Sequence, residues 1–161
     1  MKPREIFEEE AARKVLSHWS VAVPEDRMAH LVKDANKAFL RRLQISLAQF
    51  DVPLGHWLYL RILWHKEGLT KRELSVEAGV MEPTTFVALK GMEEAGLIRL
   101  EKKEDNKKNI YVFLTAKGKS LKKKLIPLAE KVNSDAAVGI SDKDMKTARK
   151  VLLQMLINLN S

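Results

Sequence analysis

Apolar residues recur at spacings of three and four along both ends of the chain. After Pro24, the residues Leu31, Ala35, Phe39, Leu43, Leu47 and Phe50 fall along one stripe of a long helix ending near Asp51. A stripe of that length needs a surface to cover it. Thr115 can cap a helix that reaches about Ala137, with Leu121, Leu125, Leu128 and Val132 on one side. Pro127 lacks an amide donor and clashes with the preceding turn, which predicts a kink there. Ser141 followed by Asp142, Lys143 and Asp144 supplies an N-cap with acids in the first turn, and Met145, Ala148, Leu152, Met155, Leu156 and Leu159 continue a last helical stripe.

The middle of the chain changes character. Residues 54–66 read as a short helix with Trp57, Leu60, Leu63 and Trp64 apolar, closed by Gly68 in the position of a C-terminal cap. Thr70-Lys71-Arg72-Glu73 has the form of a capping box, in which the threonine hydroxyl accepts from the Glu73 amide and the Glu73 carboxylate reaches back to the Thr70 amide. It opens a helix over residues 71–78. Gly79 suits a tight turn with positive φ, Pro83 suits the first turn of a further helix running to about Ala95, and Gly96 stops it. Two alternating runs follow, residues 97–102 and 109–114, separated by the polar turn segment 103–108. Two short helices joined at a glycine and followed directly by a hairpin are the order of a helix-turn-helix with a wing. The expected fold is therefore mainly α with a small β-hairpin wing. Its expected organisation is N-terminal helices of a dimerisation region over residues 1–51, a winged helix-turn-helix lobe over 52–115, and C-terminal helices of the dimerisation region over 116–161.

Charge gives the middle stretch a direction. The chain carries 29 Lys and Arg against 21 Asp and Glu, a net charge of +8. Residues 52–126 hold 15 of those cations but only 9 of the acids, so +6 of the +8 sits there. Lys102, Lys103, Lys107, Lys108, Lys117, Lys119, Lys122, Lys123 and Lys124 crowd the hairpin and the start of the helix after it. A surplus placed on one element predicts a polyanionic partner, since neutralising phosphates is its common use.

Other chemistries find little support. With no cysteine there is no disulfide, thiolate zinc site or thiol nucleophile. His18, His30, His56 and His65 do not pair with carboxylates as metal ligands do, and consecutive acids such as Glu8-Glu9-Glu10 point around a helix instead of converging. No phosphate-binding glycine loop, nucleotide fingerprint or nucleophile elbow occurs. The expectation is no enzyme, no metal and no cofactor. No stretch approaches the roughly 18 apolar residues of a membrane span, and the first ten residues lack a signal core, so a cytoplasmic protein without membrane association is expected.

Residues 52–125 resemble the MarR family of winged helix-turn-helix transcription regulators. The resemblance is carried by Leu69-Thr70 with Glu73-Leu74, the turn Ala78-Gly79-Val80, the segment from Met92 to Ile98, and Leu114-Thr115-Ala116-Lys117-Gly118. It implies a homodimer whose terminal helices intertwine and hold two winged lobes on successive major grooves of a pseudo-palindromic operator. It also implies a small effector, often an aromatic acid, that lowers affinity for double-stranded DNA; the phosphate that Arg61 can pair with makes an acyl-CoA a second candidate. The sequence departs from the family at two places. Where the recognition helix often has threonine then arginine it has Phe86 and Val87, and where the wing often has Asp-Arg-Arg it has Asn106-Lys107-Lys108, with Asp105 a substitute acid if the register shifts by one. Lysine is a point charge without a planar fork and suits phosphate better than a narrow groove.

In the helix after Pro83, the side formed by Thr85, Ala88 or Leu89, and Met92 is expected to face the core. That leaves Thr84, Phe86, Val87, Lys90 and Gly91 for the groove; if Phe86 is buried, Thr84 and Lys90 alone reach DNA. Lys71 and Arg72 begin the preceding helix and can meet phosphate, and Lys103, Lys107 and Lys108 on the wing can do the same. His56, Trp57, Arg61 and Trp64 lie where family members commonly bind an effector; the tryptophans can stack an aromatic ring and Arg61 can pair with a carboxylate or phosphate. The function expected is a ligand-responsive DNA-binding regulator, a repressor acting as a homodimer. The alternative is a dimeric ligand-sensing or protein-interaction module with weak or non-specific DNA binding.

Overall fold

The computed structural model describes residues 28–103 and 106–161, with the side chains of residues 103–108 left aside. Glu8-Glu9-Glu10, His18, Asp105 and the first part of the N-terminal helical segment lie outside the described residues. Six helices and three strands follow in order: α1 (Met28–Ala48), α2 (Leu54–His65), β1 (Leu69–Thr70), α3 (Lys71–Ala78), α4 (Glu82–Glu94), β2 (Ile98–Lys103), β3 (Asn106–Leu114), α5 (Ala116–Ala136) and α6 (Asp142–Asn160). The chain divides into two compact units, residues 1–38 and 39–161. The described part of the first is the opening of α1, on which Leu31 and Val32 are exposed.

The core of the second unit gathers around α2. Tyr59, Leu60 and Leu63 are buried with Leu74 of α3, Leu89 and Met92 of α4, and Val112 and Leu114 of β3. Each such side chain removed from water contributes about 1.5–3 kcal/mol before entropy is set against it. The core does not stop at residues 52 and 115: Leu43 and Leu47 of α1 and Leu121, Leu125 and Val132 of α5 belong to it as well. α5 runs unbroken through Pro127. α6 keeps its Ser141 cap, whose hydroxyl accepts from the Asp144 amide at 3.1 Å, but none of its residues is buried.

The β structure is larger than a hairpin. β3 is central in a three-stranded antiparallel sheet of order β1-β3-β2, with Leu69 opposite Val112 and Leu100 opposite Val112 on the other edge. The strands also extend further than alternation suggested. Lys103 belongs to β2, and Asn106, Lys107 and Lys108 belong to β3, so only residues 104 and 105 lie between the strands where a longer turn, 103–108, was expected. α2 ends at His65 through an extended Lys66; Gly68 serves instead as a turn of φ 74°, its amide donating to the Val112 carbonyl at 2.9 Å.

Candidate nucleic-acid interface

Both halves of the expected capping box form at the start of α3. The Thr70 amide donates to Glu73 Oε2 at 2.7 Å, and the Glu73 amide donates to Thr70 Oγ1 at 3.2 Å. The box uses those two amides itself and leaves the amides of Lys71 and Arg72 facing outward at the helix end. Gly79 closes α3 at φ 64°, and Pro83 occupies the first turn of α4.

The rotation of α4 is set by buried hydroxyls. Tyr59 Oη donates to Thr85 Oγ1 at 3.0 Å, Thr85 Oγ1 lies 2.9 Å from Ser75 Oγ, and Ser75 Oγ lies 3.0 Å from the Lys71 carbonyl oxygen. Each hydroxyl has one proton, so all are satisfied when Tyr59 donates to Thr85, Thr85 to Ser75 and Ser75 to the Lys71 carbonyl. The chain of donors ties α2, α4 and α3 together. With Thr85, Leu89 and Met92 inward, Thr84, Phe86, Val87 and Lys90 are exposed, Phe86 at 55% and Val87 at 70%. Gly91 does not share that face. It packs on His56, whose Nε2 would lie 2.9 Å from a Cβ at that position.

Cations frame the exposed face. The Lys71 ammonium stands 4.8 Å from the centroid of the Phe86 ring, a cation–π contact that joins the start of α3 to α4. Arg72 is exposed beside it. Lys90 reaches Glu94 only at 4.0 Å, with both side chains 68% exposed, so that pairing costs little to give up. On the wing, Arg99 covers the Phe113 ring opposite it and pairs with Glu101, and Lys102 is exposed. The backbone puts Lys103, Lys107 and Lys108 on the arms of the hairpin. Sequence periodicity does not single out Pro83 and Met81, both exposed at the start of α4, because it marks what is buried and says little about what is left outside.

The Leu114-to-Gly118 segment has a structural role. Thr115 Oγ1 donates to the Gly96 carbonyl at 2.6 Å and the Thr115 amide donates to the Leu97 carbonyl at 3.0 Å, while Lys117 Nζ reaches the Ala95 carbonyl at 2.8 Å. Gly96, at φ 67°, lets α4 end with its amide on the Glu93 carbonyl and the Leu97 amide on the Met92 carbonyl, both at 2.9 Å. A Cβ on Gly118 would collide with the Leu97 carbonyl oxygen. The end of α4 is thereby welded to the start of α5.

The four residues considered for an effector separate into two pairs. Trp57 and Arg61 line an open cleft of about 420 Å³ together with Leu43, Ile126 and Glu130, and the Arg61 guanidinium lies 5.9 Å from the centroid of the Trp57 ring. Trp64 meets Trp57 edge-on at 5.8 Å, but its indole donates to the Gly118 carbonyl at 2.9 Å and braces the weld. His56 faces Gly91 instead, and its buried Nδ1 has no hydrogen-bond partner among the described residues. Burial holds this imidazole below its ordinary pKa of 6.5.

A helix-turn-helix followed by a β-hairpin, whose inner strand β3 also pairs with the short β1 ahead of α3, defines a winged helix-turn-helix protein. The MarR family model matches residues 52–110. The regulator Hpr of Bacillus cytotoxicus is 35% identical over 110 residues, 68% of this chain and 57% of that protein. A solved transcriptional regulator, PA3341, is 28% identical with a TM-score of 0.71, over 82% of this chain and 97% of that one. A MarR family regulator from Listeria monocytogenes, solved with a 26mer DNA, shares the fold at a TM-score of 0.73 and 23% identity, over 82% of this chain and 88% of that one. The likeness to the MarR family thus lies in the winged domain, residues 52–110. It spans 66%, 57% and 50% of the length of the first curated relatives it matches.

Proposed function

We propose that the protein is a DNA-binding transcription regulator and not an enzyme, a repressor that docks two winged lobes on a pseudo-palindromic operator as a homodimer. The observation that carries this reading is the setting of α4. Its polar anchor Thr85 is turned inward, and Thr84, Phe86, Val87 and Lys90 face outward, with Lys71 of α3 over the Phe86 ring. In that geometry Lys71, Arg72, Lys103, Lys107 and Lys108 supply affinity through phosphate, and α4 supplies base contacts. The homodimer is supported by α6, which exposes Leu152, Leu153, Leu156 and Ile157, a face that a second copy would cover. Among the described residues no helix is long and apolar enough to cross a membrane, which agrees with a regulator working in the cytoplasm.

An aromatic acid or its CoA thioester is the proposed effector, held by Trp57 and Arg61 in the cleft beside α5. Trp64 supports that wall through its edge-on contact with Trp57, and His56, against Gly91, takes no part in it. Such a ligand acts only through unequal affinity for two lobe spacings.

The test is a mobility-shift titration of the full chain on its own upstream DNA at stated salt, with unrelated duplex as competitor, beside sedimentation of the free protein. A shift that survives competition, from a dimer, supports the reading. Binding removed equally by any duplex supports instead a dimeric sensing or interaction module with non-specific DNA affinity. Quenching of tryptophan fluorescence by aromatic acids, lost in Trp57→Phe, tests the effector site.

A further inference from the structure

We infer that α4 reads thymine C5-methyl groups, so that the preferred half-site is marked by thymines where this helix enters the major groove. The inference rests on the DNA-binding reading above and adds what the protein selects.

The chemistry follows from what α4 exposes. Arg or Lys reads guanine and Asn or Gln reads adenine through paired hydrogen bonds, and of these four α4, from Glu82 to Glu94, contains a single lysine, Lys90. Its outward side in the first two turns carries Pro83, Thr84, Phe86, Val87 and Lys90. Val87, 70% exposed, lies directly opposite the buried Thr85, Leu89 and Met92, with Pro83 one turn before it. Apolar surface of this kind has one specific partner in the major groove, the methyl that thymine alone among the four bases presents there.

Phe86 strengthens the case because it is held in place. The Lys71 ammonium over its ring fixes a half-exposed aromatic side chain beside a cation that can bind the adjoining phosphate. Thr84 adds a methyl and a hydroxyl on the other flank. The patch is interrupted by Lys71, Arg72 and Lys90, cations that match phosphates better than the apolar centre of a protein interface.

The experiment selects duplexes from a randomised library with the full chain, then replaces thymine by deoxyuridine in the selected sequence, which removes the methyl and leaves every hydrogen-bonding group in place. Each substitution at a contacted position should weaken binding about fourfold, the effect of exposing one buried methyl. Substitution outside the half-sites should change nothing. The variant Val87→Ala with Phe86→Ala should bind thymine and deoxyuridine duplexes alike and keep the salt dependence of the parent protein. Equal affinity of the parent protein for both duplexes overturns the inference while leaving DNA recognition intact, and is also the outcome if the patch docks a protein. Deoxyuridine sensitivity that persists in the double variant overturns it too. A library that enriches no sequence removes base reading altogether, and with it both this inference and the regulator reading.

Discussion

Tyr59 Oη donates to Thr85 Oγ1 at 3.0 Å across the buried junction of α2 and α4, and this bond decides which side of α4 faces outward. Thr84 and Thr85 are adjacent and chemically identical, yet one is exposed and the other fully buried. Removing the donor with Tyr59→Phe should cost about 1 kcal/mol. Thr85→Val keeps the shape but deprives both Tyr59 and Ser75 of their partner, so it should cost about 2–3 kcal/mol. Urea unfolding of the two variants beside the parent compares them; midpoints equal to the parent's would show that the hydroxyl chain contributes nothing to the fold.

Two glycine-to-alanine changes should have opposite signs. At Gly118 a Cβ runs into the Leu97 carbonyl oxygen, a backbone atom that cannot swing aside, and Gly118→Ala should destabilise by about 1–3 kcal/mol despite alanine's better helix propensity. At Gly55, in the first turn of α2, a Cβ meets nothing within 4 Å, and Gly55→Ala should stabilise by about 0.5–1 kcal/mol. Thermal melts of the pair settle it; a neutral Gly118→Ala contradicts the weld.

His56 makes stability depend on pH. Its folded-state pKa lies below 6.5 because burial disfavours the charged ring. Above 6.5 the imidazole is neutral in both states and has no effect. As pH falls below 6.5 the unfolded chain takes up the proton first, so stability declines until the folded pKa is passed. His56→Gln should flatten this part of the profile below pH 6.5. A stability curve that keeps the parent slope in the variant would assign it to other groups.

The wing should contribute affinity without sequence preference. Lys107→Ala with Lys108→Ala is expected to weaken binding to all duplexes and to lower the slope of log K against log salt by about 0.9 for each phosphate no longer neutralised. Titrations at several salt concentrations measure this directly. An unchanged slope would remove both lysines from the interface.

How far the fold is readable depends on the range of each interaction. The capping box at Thr70, the glycine turn at Gly79 and the inward side of α4 are set by residues within a turn or two of one another, and periodicity carries them. β1 has only Leu69 and Thr70, too short to alternate, and exists because β3 pairs with it from far along the chain. Lys107 and Lys108 read as turn because the polar run 103–108 carries no apolar alternation. The contacts of His56 with Gly91 and of Trp64 with Gly118 are long-range and leave no local sign, which is why two residues that look suited to an effector instead brace helices.

The close approach of Gly118 to Leu97 leaves no slack between α4 and α5. α5 has 21 residues and is therefore about 30 Å long. A tilt of roughly 5° about its first turn moves the far end by roughly 3 Å, and the same lever works in reverse. A displacement of a few ångströms at the distal end of α5 would reach α4 as a small rotation of the lobe, with no play at the Gly118–Leu97 junction to absorb it.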